Sequence, residues 1–236
     1  MALRIEKTAC LILLGLAIAS GEDLVFTARH RHLHKGGPGS LSFTETGVRW
    51  EETKERDHCF DWKYSDLQRL ELWPDHVHIV TYDDIDWQLG RDREYEFDKL
   101  PPDLAARVYP LLITRMDQRF QAFVAEPDVT ALYESPAKLL LARNRGSNGV
   151  LKIGMDRIVF DANGQGESRT WRYSDISTIS SAGPFDLTFA TIEGENRLQL
   201  KQALPEARYN EIWRRITEAN GLRMYGGQEA HEHAVR

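Results

Sequence analysis

Alternation with a period of two runs through most of the chain. Leu24 to His32 is β-branched and aromatic enough to predict a first strand, turned by Gly36-Gly37-Pro38-Gly39. Leu41 and Phe43 alternate with serine and threonine, Thr46-Gly47 signals a hairpin turn, and Val48 and Trp50 resume the alternation on the way back. Phe60, Trp62 and Tyr64 fall on one face of a fourth strand, with Asp61 and Lys63 on the other. Leu67, Leu70 and Leu72, then Val77 to Tyr82, then a short Tyr95-Glu96-Phe97 supply three more. The period then changes. After Pro101-Pro102-Asp103, the residues Leu104, Val108, Leu111, Leu112, Met116, Phe120 and Phe123 keep helical spacing and predict a helix as far as about Val124, ended by Pro127.

The second half retraces this path. Trp62-Lys63-Tyr64-Ser65-Asp66-Leu67 returns as Trp171-Arg172-Tyr173-Ser174-Asp175-Ile176, and Gly39 to Phe43 is answered by Gly149 to Ile153. Leu139 to Arg145 is matched to Val25 to Arg31, so Arg143 and Arg145 take the places of Arg29 and Arg31. Leu204-Pro205-Glu206 opens a last helix with Ile212, Trp213 and Ile216 on its apolar face and Asn220-Gly221 as its end. The expected organisation is a first domain over 24–124, a linker over 125–136, a second domain over 137–221 and a loose tail over 222–236. In each copy of the repeated phrase, Trp and Tyr point to one side of a strand and the Ser-Asp pair accepts backbone N–H groups at a bend.

About seven short strands closed by one helix, carrying the Trp-x-Tyr-Ser-Asp-Leu/Ile phrase after the third hairpin strand, resemble bacterial pleckstrin-homology-like (PH-like) domains in two tandem copies. The resemblance implies an α+β, mainly β fold: two tandem PH-like barrels, each of antiparallel strands plugged by a C-terminal α-helix. It also implies a non-catalytic scaffold that binds lipid headgroups, peptides or neighbouring domains. Basic residues of lipid-binding members gather on the first strand pair. Here Ser40 to Thr46 contributes none and the next strand only Arg49, which argues against inositol-lipid recognition.

Composition narrows the setting. Hydrophobic residues at 42% and charged residues at 28% are ordinary for a globular chain, and a net charge of −6 argues against wholesale nucleic-acid binding. Residues 1–19 differ from the rest. Arg4 and Lys7 precede an apolar run from Thr8 to Ile18, and Ala17-Ile18-Ala19 suits a signal peptidase, so a cleaved export signal is expected, with no transmembrane span left behind. Cleavage would remove Cys10 and leave Cys59 as either a small buried hydrophobe or a reactive thiol.

One stretch stands out chemically, Arg29-His30-Arg31-His32-Leu33-His34-Lys35. On a strand, Arg29, Arg31 and Lys35 share one face, where they could bind an anionic group or a partner's carboxylate, with Arg143 and Arg145 as second-copy equivalents. His30, His32 and His34 share the other face and could converge on zinc or copper with a further ligand such as His58, His76 or His78. The remaining reading is a solvated strand end. Asp83 to Asp92 reads as an acidic loop, a solvated charge run or at best a weak calcium site. No phosphate loop, nucleophile elbow or dinucleotide fingerprint is present in the sequence, and no cofactor is expected. The expectation is therefore an exported, non-enzymatic binding module with a protein or anionic-headgroup partner.

Overall fold

The computed structural model describes residues 23–31, 36–54, 59–85, 88–141, 145–164 and 167–232. The expected export signal, His32, His34, Lys35, His58 and Arg143 lie outside the described residues. The first half contains β1 (Leu24–Arg31), β2 (Pro38–Phe43), β3 (Gly47–Glu52), β4 (Phe60–Lys63), β5 (Leu67–Leu72), β6 (Val77–Ile85), β7 (Gln88–Asp98) and helix α1 (Leu104–Arg115). A short strand β8 (Phe120–Ala122) follows. The second half contains β9 (Tyr133–Leu141), β10 (Arg145–Ile153), β11 (Arg157–Ala162), β12 (Arg169–Arg172), β13 (Thr178–Ser180), β14 (Asp186–Thr191), β15 (Gly194–Leu200) and α2 (Glu206–Glu232).

The architecture is mainly β, with one continuous sheet among the described residues. Its order, β13-β14-β15-β9-β10-β11-β12-β8-β5-β6-β7-β1-β2-β3-β4, contains the same seven-strand series twice, joined by β8. Apolar side chains form two clusters. One gathers Trp50, Phe43, Phe97, Leu70 and Leu112 of the first half, the other Phe160, Trp171, Phe189, Leu198 and Ile212 of the second.

The duplication extends to detail. Trp62 and Tyr64, like Trp171 and Tyr173, are buried, and each phrase bends through a 3-10 turn before Leu67 or Ile176 re-enters the core. The two tyrosine hydroxyls donate to carbonyls in matching turns, Tyr64 to Thr44 at 2.9 Å and Tyr173 to Gly154 at 2.8 Å. Burial pushes the Tyr64 phenol up to about 12. Gly39 and Gly149 sit where a Cβ would collide with a backbone carbonyl, of Glu51 and Asp161 respectively, so close strand approach demands glycine at both.

Three elements differ from the sequence-based expectation. Helix α1 stops at Arg115, because the Met116 backbone is extended and the Asp117 carboxylate accepts the Arg119 N–H at 3.0 Å in a tight turn. Phe120 and Phe123 therefore belong to the sheet region and not to the helix. The expected acidic loop is largely strand, since β6 runs on to Ile85 and β7 starts at Gln88. Finally, α2 continues through Asn220-Gly221 to Glu232. Asn220 does not break it, because its amide donates sideways to the Ile176 carbonyl at 2.7 Å, and an internal glycine costs a helix only about 1 kcal/mol. Trp213 lies off the buried Ile212–Ile216 stripe and is exposed.

Candidate binding surface

Strand β1 alternates as its sequence demands: Phe26, Ala28 and His30 are buried, while Val25, Thr27, Arg29 and Arg31 are exposed. The two arginines nevertheless differ. Arg31 donates to Glu96 at 2.6 Å and lies 3.8 Å from Asp98, so two carboxylates already match its charge. Arg29 lines a shallow groove of about 330 Å³ with Thr27, Ala28, Gly36, Pro38 and Lys99.

Lys99 gave no signal in the sequence. It follows β7, and with φ of 57° it is the one non-glycine residue in the left-handed region among the described residues. That conformation costs an L-residue roughly 1–2 kcal/mol, because Cβ crowds the following carbonyl. The turn from Asp98 into Leu100-Pro101 imposes it, and it sets the lysine at the groove beside Arg29.

The second-copy equivalents are corrected by the pairing register. Leu24 stands opposite Phe43 and Tyr133 opposite Ile153, so Arg29 corresponds to Lys138 and Arg31 to Leu140. Arg145 opens β10, opposite Leu141, and belongs to a different strand. The charge match that suggested Arg143 and Arg145 was displaced by five residues along the chain, which the hydrogen-bond ladder resolves.

The metal reading loses its first ligand. His30 is 4% exposed, its ring packed 5.3 Å from Phe97 and 5.8 Å from Tyr95, with Trp50 and Phe60 at its edges. Alternation on β1 directs it into the apolar core, away from any surface site. His76 stacks on Trp73 and meets Asp75, and among the described residues no three His, Cys, Asp or Glu side chains are placed to hold an ion. Cys59 is an exposed free thiol and not a buried hydrophobe.

A charged row crosses β5, β6 and β7. His78 Nδ1 lies 3.4 Å from Glu71 and Nε2 lies 3.3 Å from Glu94. The hydrogen bond to Glu71 raises the imidazole above its ordinary 6.5, against burial. Burial pushes Glu71 up, but the bonds from His78 and the Trp73 indole, with the charges of His78 and Arg69, outweigh it and hold the carboxyl below its ordinary 4.5. The contribution of His78 is complete below 6.5 and lost as pH rises through its raised value; that of Glu71 is complete above 4.5 and lost as pH falls. Stability is therefore expected to decline above pH 6.5 more steeply in the unmodified protein than in His78→Asn, as read by urea midpoints across pH. Parallel profiles would contradict it.

The halves meet along a polar seam. Strand β8 lies parallel to β5 on one side and pairs Ala122 with Thr170 of β12 on the other. Phe123 stacks on Trp73 at 3.6 Å, and the Arg169 guanidinium lies 3.3 Å over its other face. Arg172 reaches from the second half to the C-terminal end of α1, donating to the carbonyls of Ile113 at 3.0 Å, Met116 at 2.8 Å and Asp117 at 2.7 Å. Its Nε bonds Asp175 at 2.7 Å. Tyr109 of α1 donates to Glu126 at 2.8 Å, and Arg157 of the second half pairs with the same carboxylate. A cation and hydrogen bonds at a helix C-terminus satisfy its free carbonyls and its dipole, so this contact fixes α1 to the second half.

No family model matches the chain, and no curated protein matches it. Among solved structures it is similar to the C-terminal domain of an unknown protein from Leishmania infantum, at 12% identity and a TM-score of 0.29, covering 39% of this chain and 79% of that one. It is also similar to Inner Membrane Complex Sub-compartment Protein 3 from Toxoplasma gondii, at 12% identity and a TM-score of 0.31, covering 37% and 77%. The Spt16D Pob3N heterodimer matches over 72% of this chain and 82% of that chain, again at 12% identity and a TM-score of 0.31. At these scores the likenesses carry no inference. No helix among the described residues is long and apolar enough to cross a membrane.

Proposed function

We propose that this chain is a non-catalytic binding or scaffolding protein of the bacterial cell envelope, exported by its N-terminal segment and built of two tandem PH-like barrels. The repeated seven-strand order and the helix after each series support the two-barrel reading. The observation that carries the binding role is the groove where exposed Arg29 and Lys99 stand together, with Lys99 held in a strained backbone conformation. Two cations at a concave site suit an anionic oxygen group, either a lipid phosphate or a peptide carboxylate. The polar seam supports a scaffold role by keeping this face in a constant relation to the second half.

The test uses the full chain with phosphatidylglycerol and phosphatidylcholine vesicles, and separately with an acetylated tripeptide of alanine bearing a free or amidated carboxyl. The expected result is binding to one anionic form, weakened by salt and reduced at least about tenfold by Arg29→Ala with Lys99→Ala. Arg31→Ala should leave it within about twofold, since Glu96 and Asp98 already match that charge. Lys99→Gly should weaken binding while raising stability by about 0.5–1 kcal/mol through relief of the left-handed strain. Equal binding by the double variant, or preference for the neutral probes, would overturn the assignment.

A further inference from the structure

Among the described residues the duplicated order leaves two terminal strands, β13 and β4, each paired on one side only, whereas their counterparts β5 and β12 are both covered by β8. The β4 edge is the one that borders a groove. Strand β12 receives β8, whereas β4, the same position in the first half, pairs only with β3 among the described residues. The equivalence is residue by residue. Gly47 opposite Lys63 corresponds to Arg157 opposite Arg172, and Arg49 opposite Asp61 to Val159 opposite Thr170, so Asp61 stands where Thr170 does. The Tyr64 N–H bonds the Thr46 carbonyl at 3.1 Å and the Tyr173 N–H bonds that of Asp156 at 2.8 Å. In an antiparallel ladder this alternation aims the peptide groups of Phe60 and Trp62 at β3, and those of Asp61 away from it. The same alternation aims Thr170 at Ala122 of β8.

Covering decides exposure. Thr170 is buried beneath β8 and its hydroxyl donates to Val124 O at 2.8 Å, while the Asp61 side chain is 67% exposed. Just beyond β8, Phe123 is anchored against Arg169, whose counterpart on β4 is Phe60. Phe60 instead borders an open groove of about 510 Å³ with Trp50, Cys59 and Asp61. Arg49, Glu51 and Glu52 complete its lining, three carboxylates against one guanidinium.

We propose that the β4 edge at Asp61 is a docking site for an extended segment of a partner protein, added antiparallel as β8 is added to β12. An aromatic side chain of that segment enters the groove beside Phe60, and a basic one faces Glu51 and shares the Asp61 carboxylate with Arg49, which donates to it at 3.1 Å. Strand addition supplies main-chain hydrogen bonds, and the groove with its acidic rim supplies selectivity. The site is independent of Arg29 and Lys99, so either can fail without the other.

The probe is an acetylated, amidated peptide with the sequence of residues 117–126, which carries Arg119, Phe120 and Phe123, added to the isotope-labelled full chain. The expected result is slowing of the Asp61 amide exchange by about tenfold or more, with shifts centred on residues 59–63. Asp61→Pro removes an outward N–H and no β3–β4 bond, so it should abolish the peptide-induced shifts at residues 59–63 with the β3–β4 pairing intact. Should that variant fold poorly, Asp61→Lys should reverse the charge preference, favouring a peptide in which glutamate replaces the arginine. Unchanged affinity in both variants, no binding at millimolar peptide, or shifts at Leu72 and Thr170 from displacement of β8 would overturn the proposal. Dimerisation of the chain lost in Asp61→Pro would overturn it in favour of a second copy as occupant.

Discussion

Arg172→Ala is expected to lower the unfolding free energy by about 3 kcal/mol, the larger part from stranding groups that the guanidinium now serves. The Ile113 and Met116 carbonyls at the end of α1 lose the guanidinium as donor, while the Asp117 carbonyl keeps the Phe120 N–H and the Asp175 carboxylate keeps the Ser174 hydroxyl, in a region where the arginine and aspartate side chains are only 17% and 13% exposed. Charge-assisted hydrogen bonds contribute roughly 1.5–3 kcal/mol each but do not add, because water reaches part of the vacated space. The first-half counterpart is an internal control. Lys63 occupies the same place in the phrase, is exposed and has no helix end to cap, so Lys63→Ala should change stability by no more than about 0.5 kcal/mol. Urea midpoints for the two variants measure the contrast, and equal small effects would remove Arg172 from its role as the strut between halves.

Phe123→Ala should cost about 3–4 kcal/mol and, in addition, divide unfolding into two steps. The ring is 7% exposed, stacked on Trp73 of the first half and capped by Arg169 of the second, so its removal opens a cavity between both. The two apolar clusters on either side are left intact, each able to hold its own half. Unfolding followed at tryptophan and at assigned amides of each half should then no longer coincide, whereas a single coincident transition is expected of the unmodified chain. A single transition in Phe123→Ala, with a midpoint unchanged, would mean that the halves are joined by other contacts.

The sequence reads well where a contact repeats locally and poorly where it is set by distant strands. Alternation placed β1 to β5, and the Trp-x-Tyr-Ser-Asp phrase announced the duplication, because each depends on neighbours within one hairpin. Phe120 and Phe123 fit helical spacing equally well. Only parallel pairing with Leu70 and Leu72, about fifty residues earlier, makes them strand and seam. The face of Arg29 was legible from parity, but the capture of Arg31 by Glu96 and the approach of Lys99 depend on β7. Parity alone also left His30 open as a ligand until the rings of Phe97 and Tyr95 closed over it. The match of Arg145 to Arg31 relied on charge, and charge tolerates a shift that strand register does not.

That the two halves form one unit through β8 is tested most directly by native-state amide exchange of the unmodified chain. The seam amides are Leu70, bonded to Arg119 O, and Phe123, bonded to Leu72 O, each at 2.9 Å. The account predicts that they exchange with the same opening free energy as the Tyr173 amide in the second core. Seam amides exchanging a hundredfold or so faster, while both cores stay protected, would show two domains that part readily and would contradict it.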